Sequence, residues 1–390
     1  MIKLIKSTFY KEKDTKRKLS AFINKTKQLS FGKECNKFEH SFAKWQGRSH
    51  AILVNSGSSA NLAVVQSLLN LNLVKKGDLV GFSSITWSTN VMPLIQLGLK
   101  PISIDIELDT LNVSSKNLLR VLKKSNLKLL FITNLLGFCD DLDKIAEICK
   151  KKNIILVEDN CEALGSMYKG KKLGNYGLAS TFSFYVGHHL STIEGGAICS
   201  DNTELSKMLK IVRAHGWDRN LTTTEQGNLR QSHNVSTSFY SRYTFYDLGY
   251  NLRPTEIQGY IGNLQLRHLD KIVNIRNTNY DRLASKLYRL TDKYHPIKSH
   301  HLDILSNFAF PLICKNNTIR KKVINSCNNK IEIRPIVGGN IIEQPFFKKY
   351  VTSPHVTLPN ATIVNNLGLY IPNNPELSER EVNQMINIFV

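Results

Sequence analysis

The sequence lacks paired cysteines. Its seven cysteines (35, 139, 149, 161, 199, 314 and 327) are scattered, and none falls in a CxC or CxxC spacing. That disfavours the usual zinc and iron–sulfur frames, and the odd number argues against a disulfide framework. Cys149 in a helical pattern and Cys199 in a strand pattern read as small buried hydrophobes, which points to a reducing, cytoplasmic setting. Long apolar runs are missing too. The best one, Leu129 to Cys139, is broken by Thr133 and Asn134, short of the roughly 18 apolar residues that span a membrane. The start, Met1-Ile-Lys-Leu-Ile-Lys6, has no apolar signal core, so no membrane partner is expected. Acidic residues are scarce, 31 against 52 basic ones, giving a net charge of +21. Such an excess suits a polyanion. A nucleic-acid surface would cluster its cations with aromatics on one face, whereas here they are spread through the chain, including helix surfaces at 122–128 and 148–152; no nucleic acid is expected. What is present is 390 residues with 42% hydrophobic content, enough for a sizeable core and, by length, two domains.

From residue 50 the chain alternates short apolar runs with helical periods. Ala51–Val54, Leu79–Phe82, Pro101–Ile104, Leu129–Ile132, Ile154–Val157, Ser180–Tyr185 and Gly196–Ser200 read as buried strands. Between them lie helices; over 141–152, Leu142, Ile145, Ala146 and Cys149 share one face. This alternation predicts an α/β fold with a mostly parallel central sheet covered on both faces. Near residue 250 the texture changes, and Pro254 opens a long helical pattern that continues past Arg276. The expected division is a large domain over 1–250, including an N-terminal helical segment, and a linking helix with a smaller α/β domain over 251–390. Thr222 to Ser238 has almost no apolar residues and is expected to be a mobile loop.

Four segments sit where strands end and helices begin, the places where such sheets gather their chemistry. Val54-Asn-Ser-Gly-Ser-Ser-Ala-Asn61 offers backbone N–H groups and hydroxyls at a helix start, suited to a phosphate or to a plain N-cap. Val157-Glu-Asp-Asn-Cys-Glu162 puts carboxylates directly after a buried strand, so Asp159 asks for a cationic partner unless the loop is solvated. Thr181 to Gly196 carries His188-His189 beside glycines and Glu194, a candidate acid–base site; nothing nearby completes a metal site. Arg213-Ala-His-Gly-Trp-Asp-Arg219 and Leu248-Gly-Tyr-Asn-Leu-Arg-Pro254 supply His215, Arg219, Asn251 and Arg253, which meet an anion or serve as caps and turns.

Taken together, these segments resemble the DegT/DnrJ/EryC1/StrS sugar aminotransferases, a branch of the fold type I (aspartate aminotransferase-like) enzymes that bind pyridoxal 5'-phosphate (PLP). The matches are Ser56-Gly-Ser-Ser-Ala60 to the family's phosphate turn, Glu158-Asp-Asn-Cys-Glu-Ala-Leu-Gly165 to its acidic segment, and Ser183 to Gly196 to the segment that carries its Schiff-base lysine. Six positions before Glu194, where that lysine belongs, stands His188, and no lysine occurs between Lys172 and Lys207. Without the amine the chain cannot hold PLP covalently, but it can hold pyridoxamine 5'-phosphate (PMP) and use an imidazole as base. A histidine there, in a Tyr185-Val-Gly-His-His-Leu-Ser-Thr-Ile-Glu-Gly-Gly196 context, is similar to the 3-dehydratases of nucleotide-linked 4-keto-6-deoxysugars.

The resemblance implies roles. Gly57, Ser58 and Ser183 hold the cofactor phosphate, Trp87 stacks on its ring, Asp159 keeps the ring nitrogen protonated, and Glu162 contacts the phenolic oxygen or the sugar. His188 is the base, and His188 or His215 assists loss of the C3 hydroxyl; His189 is a structural neighbour. Arg219, Arg253 and Arg334 lie near a nucleotide-diphosphate sugar, with Asn251 and Arg253 reaching across a homodimer with shared active sites. The implied substrate is GDP-4-keto-6-deoxy-D-mannose, with L-glutamate restoring PMP. The alternatives are an NDP-4-ketosugar aminotransferase and a CDP-4-keto-6-deoxyglucose 3-dehydrase. The latter carries an iron–sulfur cluster on cysteines before the Gly249-Tyr-Asn251 segment; this chain has no cysteine between Cys199 and Cys314, so no cluster is expected.

Overall fold

A computed structural model describes residues 1–235, 239–352 and 357–390. The apolar runs pair into one seven-stranded sheet, in the order His50–Val54, Gly196–Ser200, Ala179–Ser183, Ile155–Asp159, Leu127–Thr133, Leu79–Ser83, Lys100–Ile104. Gly196–Ser200 is antiparallel to both of its neighbours; every other pairing is parallel. Alternate residues of a strand point to opposite faces. Leu129 and Phe131 enter one buried cluster, while Leu130 and Ile132 enter another. Each face is therefore apolar, and helices cover both. Gly57–Asn70 and Thr203–Arg213 pack together on the first face, and Lys33–Gln46 lies across His50–Val54. Cys149 and Cys199 are buried in the expected helix and strand, as free thiols.

After residue 251 the chain forms two helices, then a three-stranded sheet ordered Tyr294–His295, Ala309–Cys314, Gly368–Pro372, packed with helices including Asn317–Cys327, Pro359–Leu367 and Glu379–Phe389. The largest buried cluster runs through both parts: Ile132 and Leu156 of the large sheet share it with Phe310 and Ile371 of the small one.

Three expectations need correction. The single long helix from Pro254 is two, Glu256–Leu266 and Leu269–Leu287, separated by a turn in which His268 N donates to Gln265 O. Pro254 precedes the helix; Thr255 is its cap, in a capping box with Gln258. Of the loop expected over 222–238, Thr223–Ser232 is a helix with no buried residue, started by a second capping box in which Glu225 accepts from Thr222 N and Thr222 Oγ1 from Glu225 N. Arg230 then ties it to the fully buried Asp218 at 2.7 Å. Residues 236–238 of that expectation lie outside the described residues. Finally, the strand expected to reach Tyr185 ends at Ser183, and Phe184 continues in a loop through its N–H to Gly195 O.

Candidate active site

The parallel strands end on one edge of the sheet, and a cavity of about 670 Å³ opens there. Its floor comes from Asp159 and Ser183, the last residues of their strands, and from Thr133. Its wall is Phe308, Tyr370, Glu332 and Arg334 from the C-terminal part, with Leu4 and Ile5 of the N-terminal segment.

The helix Gly57–Asn70 points its N-terminus at this edge. Ser56 caps it, accepting from Ser59 N, so Ser59 is spoken for. Gly57 and Ser58 line the cavity, and Ser58 is exposed. A Cβ on Gly57 would stand 2.7 Å from Ser183 Cβ, so only glycine leaves this cradle open to an anion. Here the capping reading and the phosphate reading are compatible: one serine caps and its neighbours face the space.

Glu158 and Asp159 point to opposite faces of their strand. Glu158 is fully buried and accepts from Gly174 N, Tyr176 N, Gly177 N and Asn134 Nδ2, which makes it structural. Asp159 accepts from Asn61 Nδ2 (3.0 Å), Asn90 Nδ2 (2.8 Å) and Cys161 N (2.8 Å). Thr86 fixes the Asn90 amide by donating to its Oδ1. The carboxylate thus has neutral donors, no cationic partner among the described residues, and a face on the cavity, and an ionised carboxylate still has acceptor capacity left. Glu162 accepts from Leu136 N at 3.0 Å; burial, opposed by that bond and aided by the charge of Asp159, raises its pKa to about 8.

His188 follows Ser183 on the loop. Its ring stands edge-on to Phe308 (5.3 Å) and Tyr185 (5.9 Å), and its Nδ1 is buried without a hydrogen-bond partner. Burial lowers its pKa from 6.5 to about 4, partly offset by Asp159, so the imidazole is neutral near pH 7. His189 points elsewhere: it is buried, bonded through Nε2 to Ser306 O at 2.9 Å, and outside the cavity lining. Trp87 is half exposed at the cavity with no ring partner among the described residues, leaving its face open for stacking.

The structure therefore brings together Gly57, Ser58, Trp87, Asp159, Glu162, Ser183, His188 and Arg334. It does not bring His215, Arg219, Asn251 or Arg253 into this chain's own cavity. His215 N donates to Tyr250 O, and its ring meets Trp217; the Arg219 guanidinium lies 3.9 Å over the same Trp217. Arg253 Nε donates to Asn251 Oδ1, both exposed. Arg334, the basic side chain in the cavity lining among the described residues, is ion-paired to Glu332 at 2.5 Å. Sequence reading gave no role to Asn61, Asn90, Phe308, Glu332 or Tyr370. Asn61 stood inside a motif already singled out; the others are joined to the site only by the fold.

The residues fit a pyridoxamine phosphate: a helix N-terminus kept open by glycine, a carboxylate without a cation, an unpartnered indole face, and an imidazole with a free nitrogen. Comparison with known proteins agrees. Residues 10–390 match the model of the DegT/DnrJ/EryC1/StrS aminotransferase family. The GDP-4-keto-6-deoxy-D-mannose 3-dehydratase of Escherichia coli O55:H7 is 34% identical over 360 residues, covering 89% of each chain. A crystal structure of GDP-4-keto-6-deoxymannose-3-dehydratase (ColD), as an H188N mutant with bound GDP-perosamine, superposes with a TM-score of 0.89 at 30% identity over 100% of both chains. A second structure of that enzyme, with a trapped PLP-glutamate geminal diamine, superposes equally well, TM-score 0.89 and 30% identity over 100% of both chains. With this sequence match over nearly its whole length, the chain belongs to the DegT/DnrJ/EryC1/StrS aminotransferase family.

Proposed function

We propose that this enzyme is a PMP-dependent C3 dehydratase of GDP-4-keto-6-deoxy-D-mannose, restored by L-glutamate, in the making of a 3,6-dideoxysugar. The observation that carries the reading is His188: a neutral imidazole faces the cavity where the family's chemistry otherwise calls for a lysine. When bound, PMP would supply an amine for the sugar's C4 ketone and a protonated ring that takes up the electron pair left by proton removal and releases it as the C3 hydroxyl departs.

The chain's own groups then do the following. The N–H groups at Gly57 and Ser58, with the Ser183 hydroxyl, hold the phosphate, and Trp87 covers the ring. Asp159, oriented by Asn61 and Asn90, keeps the ring nitrogen protonated. His188, whose imidazole faces the cavity, takes a proton and returns it to the departing C3 hydroxyl. Glu162 is protonated at neutral pH and donates a hydrogen bond to the cofactor's phenolic oxygen or to the sugar. Arg334 meets the anionic substrate, exchanging its bond to Glu332. His215 lies outside the cavity, which favours His188 for both proton transfers. Asn251, Arg219 and Arg253, exposed and away from their own cavity, reach the site of a second copy in a homodimer.

The test is incubation with PLP, L-glutamate and a panel of nucleotide-linked 4-keto-6-deoxysugars. The expected product is lighter than the substrate by one oxygen atom, with one ammonia and one 2-oxoglutarate released per sugar, and the GDP-mannose derivative turned over fastest. A 4-amino sugar formed without free ammonia would instead make the enzyme an aminotransferase.

A further inference from the structure

Behind the two histidines lies a cation that the chemistry above does not use. Arg276, on the helix Leu269–Leu287, is 3% exposed and has no carboxylate partner among the described residues. Its Nη1 donates instead to three carbonyls, Asn307 O (3.3 Å), Phe308 O (2.8 Å) and Asn373 O. Asn373 closes the knot by donating from Nδ2 to Arg276 O and Asn307 O. A buried guanidinium without a counter-charge is costly, so neutral dipoles alone need to hold it in place.

The segment so clamped holds both histidines. Ser306 O accepts from His189, and the Phe308 ring stands at 86° to the His188 ring. The far side is fixed as well: Phe308 N and Asn307 Nδ2 both donate to Leu136 O, and Leu136 N donates to Glu162. Gly137 lets this segment approach, because a Cβ there would stand 2.5 Å from Ser306 O.

We propose that Arg276 is a positioning residue: by clamping Asn307 and Phe308 through their carbonyls it fixes the Phe308 ring against which the His188 ring stands edge-on, and its buried charge lies on the side of the two imidazoles away from the cavity's carboxylates. The inference rests on the reading of His188 as the base. Arg276 remains charged at neutral pH, since burial lowers its pKa only to about 9. Its charge works in the same direction as burial on His188 and on His189, and against Asp159. The other carboxylates around the cavity are Glu162, Glu194 and Glu332, the last paired with Arg334; Cys161, Tyr185 and Tyr370 complete the titratable lining.

The experiment follows the His188 ring directly, by carbon NMR of histidine-labelled, PMP-loaded protein with the signal assigned through His188→Asn. It is run beside the pH dependence of kcat. Removing the charge in Arg276→Gln raises the His188 midpoint by a few tenths of a pH unit, in the direction opposite to burial, and the acid limb of kcat rises with it. Arg276→Lys, which keeps the charge, leaves both close to the parent. Phe308→Leu, which keeps the cation and loses the ring edge, lowers kcat by roughly tenfold with little change in the midpoint. A folded Arg276→Gln protein with an unmoved His188 midpoint overturns the proposal. Should that variant not fold, Phe308→Leu at full activity overturns the clamp. A midpoint that moves while the acid limb stays put supports Arg276's influence and refutes His188 as the base, so the two readings fail separately.

Discussion

One residue type at one position decides the chemistry available to this site. A lysine at 188 would bind the cofactor covalently; an imidazole cannot, and is left free to move protons. Burial gives that imidazole an unusual range. With a pKa lowered from 6.5 to about 4, His188 is an unprotonated base above that value and loses its function only as pH falls through it. Glu162 works in the opposite sense: its pKa is raised to about 8, so it is a hydrogen-bond donor below that value and ionises above it. The expected kcat profile is a plateau bounded near these two values, with no inflection at the ordinary histidine value. A rate measured across this range that halves near pH 6.5 would show that the histidine is not buried in the working enzyme. The same scale shows what the sequence revealed. His188, Asp159 and Gly57 were visible because each lies in a compact motif. Asn61 and Asn90, which hold Asp159, reach it across 98 and 69 positions of chain and have no local signature.

At the scale of elements, most strands were legible because they are short, largely apolar runs buried on both faces, as a mostly parallel sheet requires. Their ends were less so, since hydrogen bonding rather than hydrophobicity sets where a strand stops. The helix Thr223–Ser232 was missed because it buries nothing, and hydrophobic periodicity had nothing to detect. Its capping box, Thr222 with Glu225, was the available signal. Elsewhere a cap comes from a distant element. Lys33–Gln46 begins at Gly32 with no side-chain cap of its own, and Glu256 of the helix Glu256–Leu266 serves instead, accepting from Glu34 N (2.8 Å) and Cys35 N (3.0 Å). The two helices touch there, where a Cβ at Gly259 would stand 2.4 Å from Cys35 N. Replacing Glu256 by Ala leaves two N–H groups at a buried helix start without acceptors and is expected to cost about 2 kcal/mol. Denaturant unfolding measures this; a variant as stable as the parent would show that water replaces the carboxylate.

On the scale of the whole molecule, the +21 charge has little to do with the cavity, whose basic lining among the described residues is Arg334. Surface ion pairs occupy a minority of the cations, such as Lys16–Glu12 and Lys151–Glu147. The second copy is the missing source of positive charge in the proposed assembly. If Arg253 serves a neighbour's site, two inactive variants, His188→Asn and Arg253→Ala, regain activity when unfolded together and refolded as a mixture, because one of the mixed dimer's sites is then intact. Light scattering gives the mass of the assembly, and an active monomer would refute the shared site. The account stands most directly on His188, and a single turnover without glutamate tests it. The PMP-loaded parent protein given GDP-4-keto-6-deoxy-D-mannose is expected to release about one ammonia per site, whereas His188→Asn keeps its PMP and reacts at least about a hundredfold more slowly. A His188→Asn protein that releases ammonia at the parent rate would contradict the account.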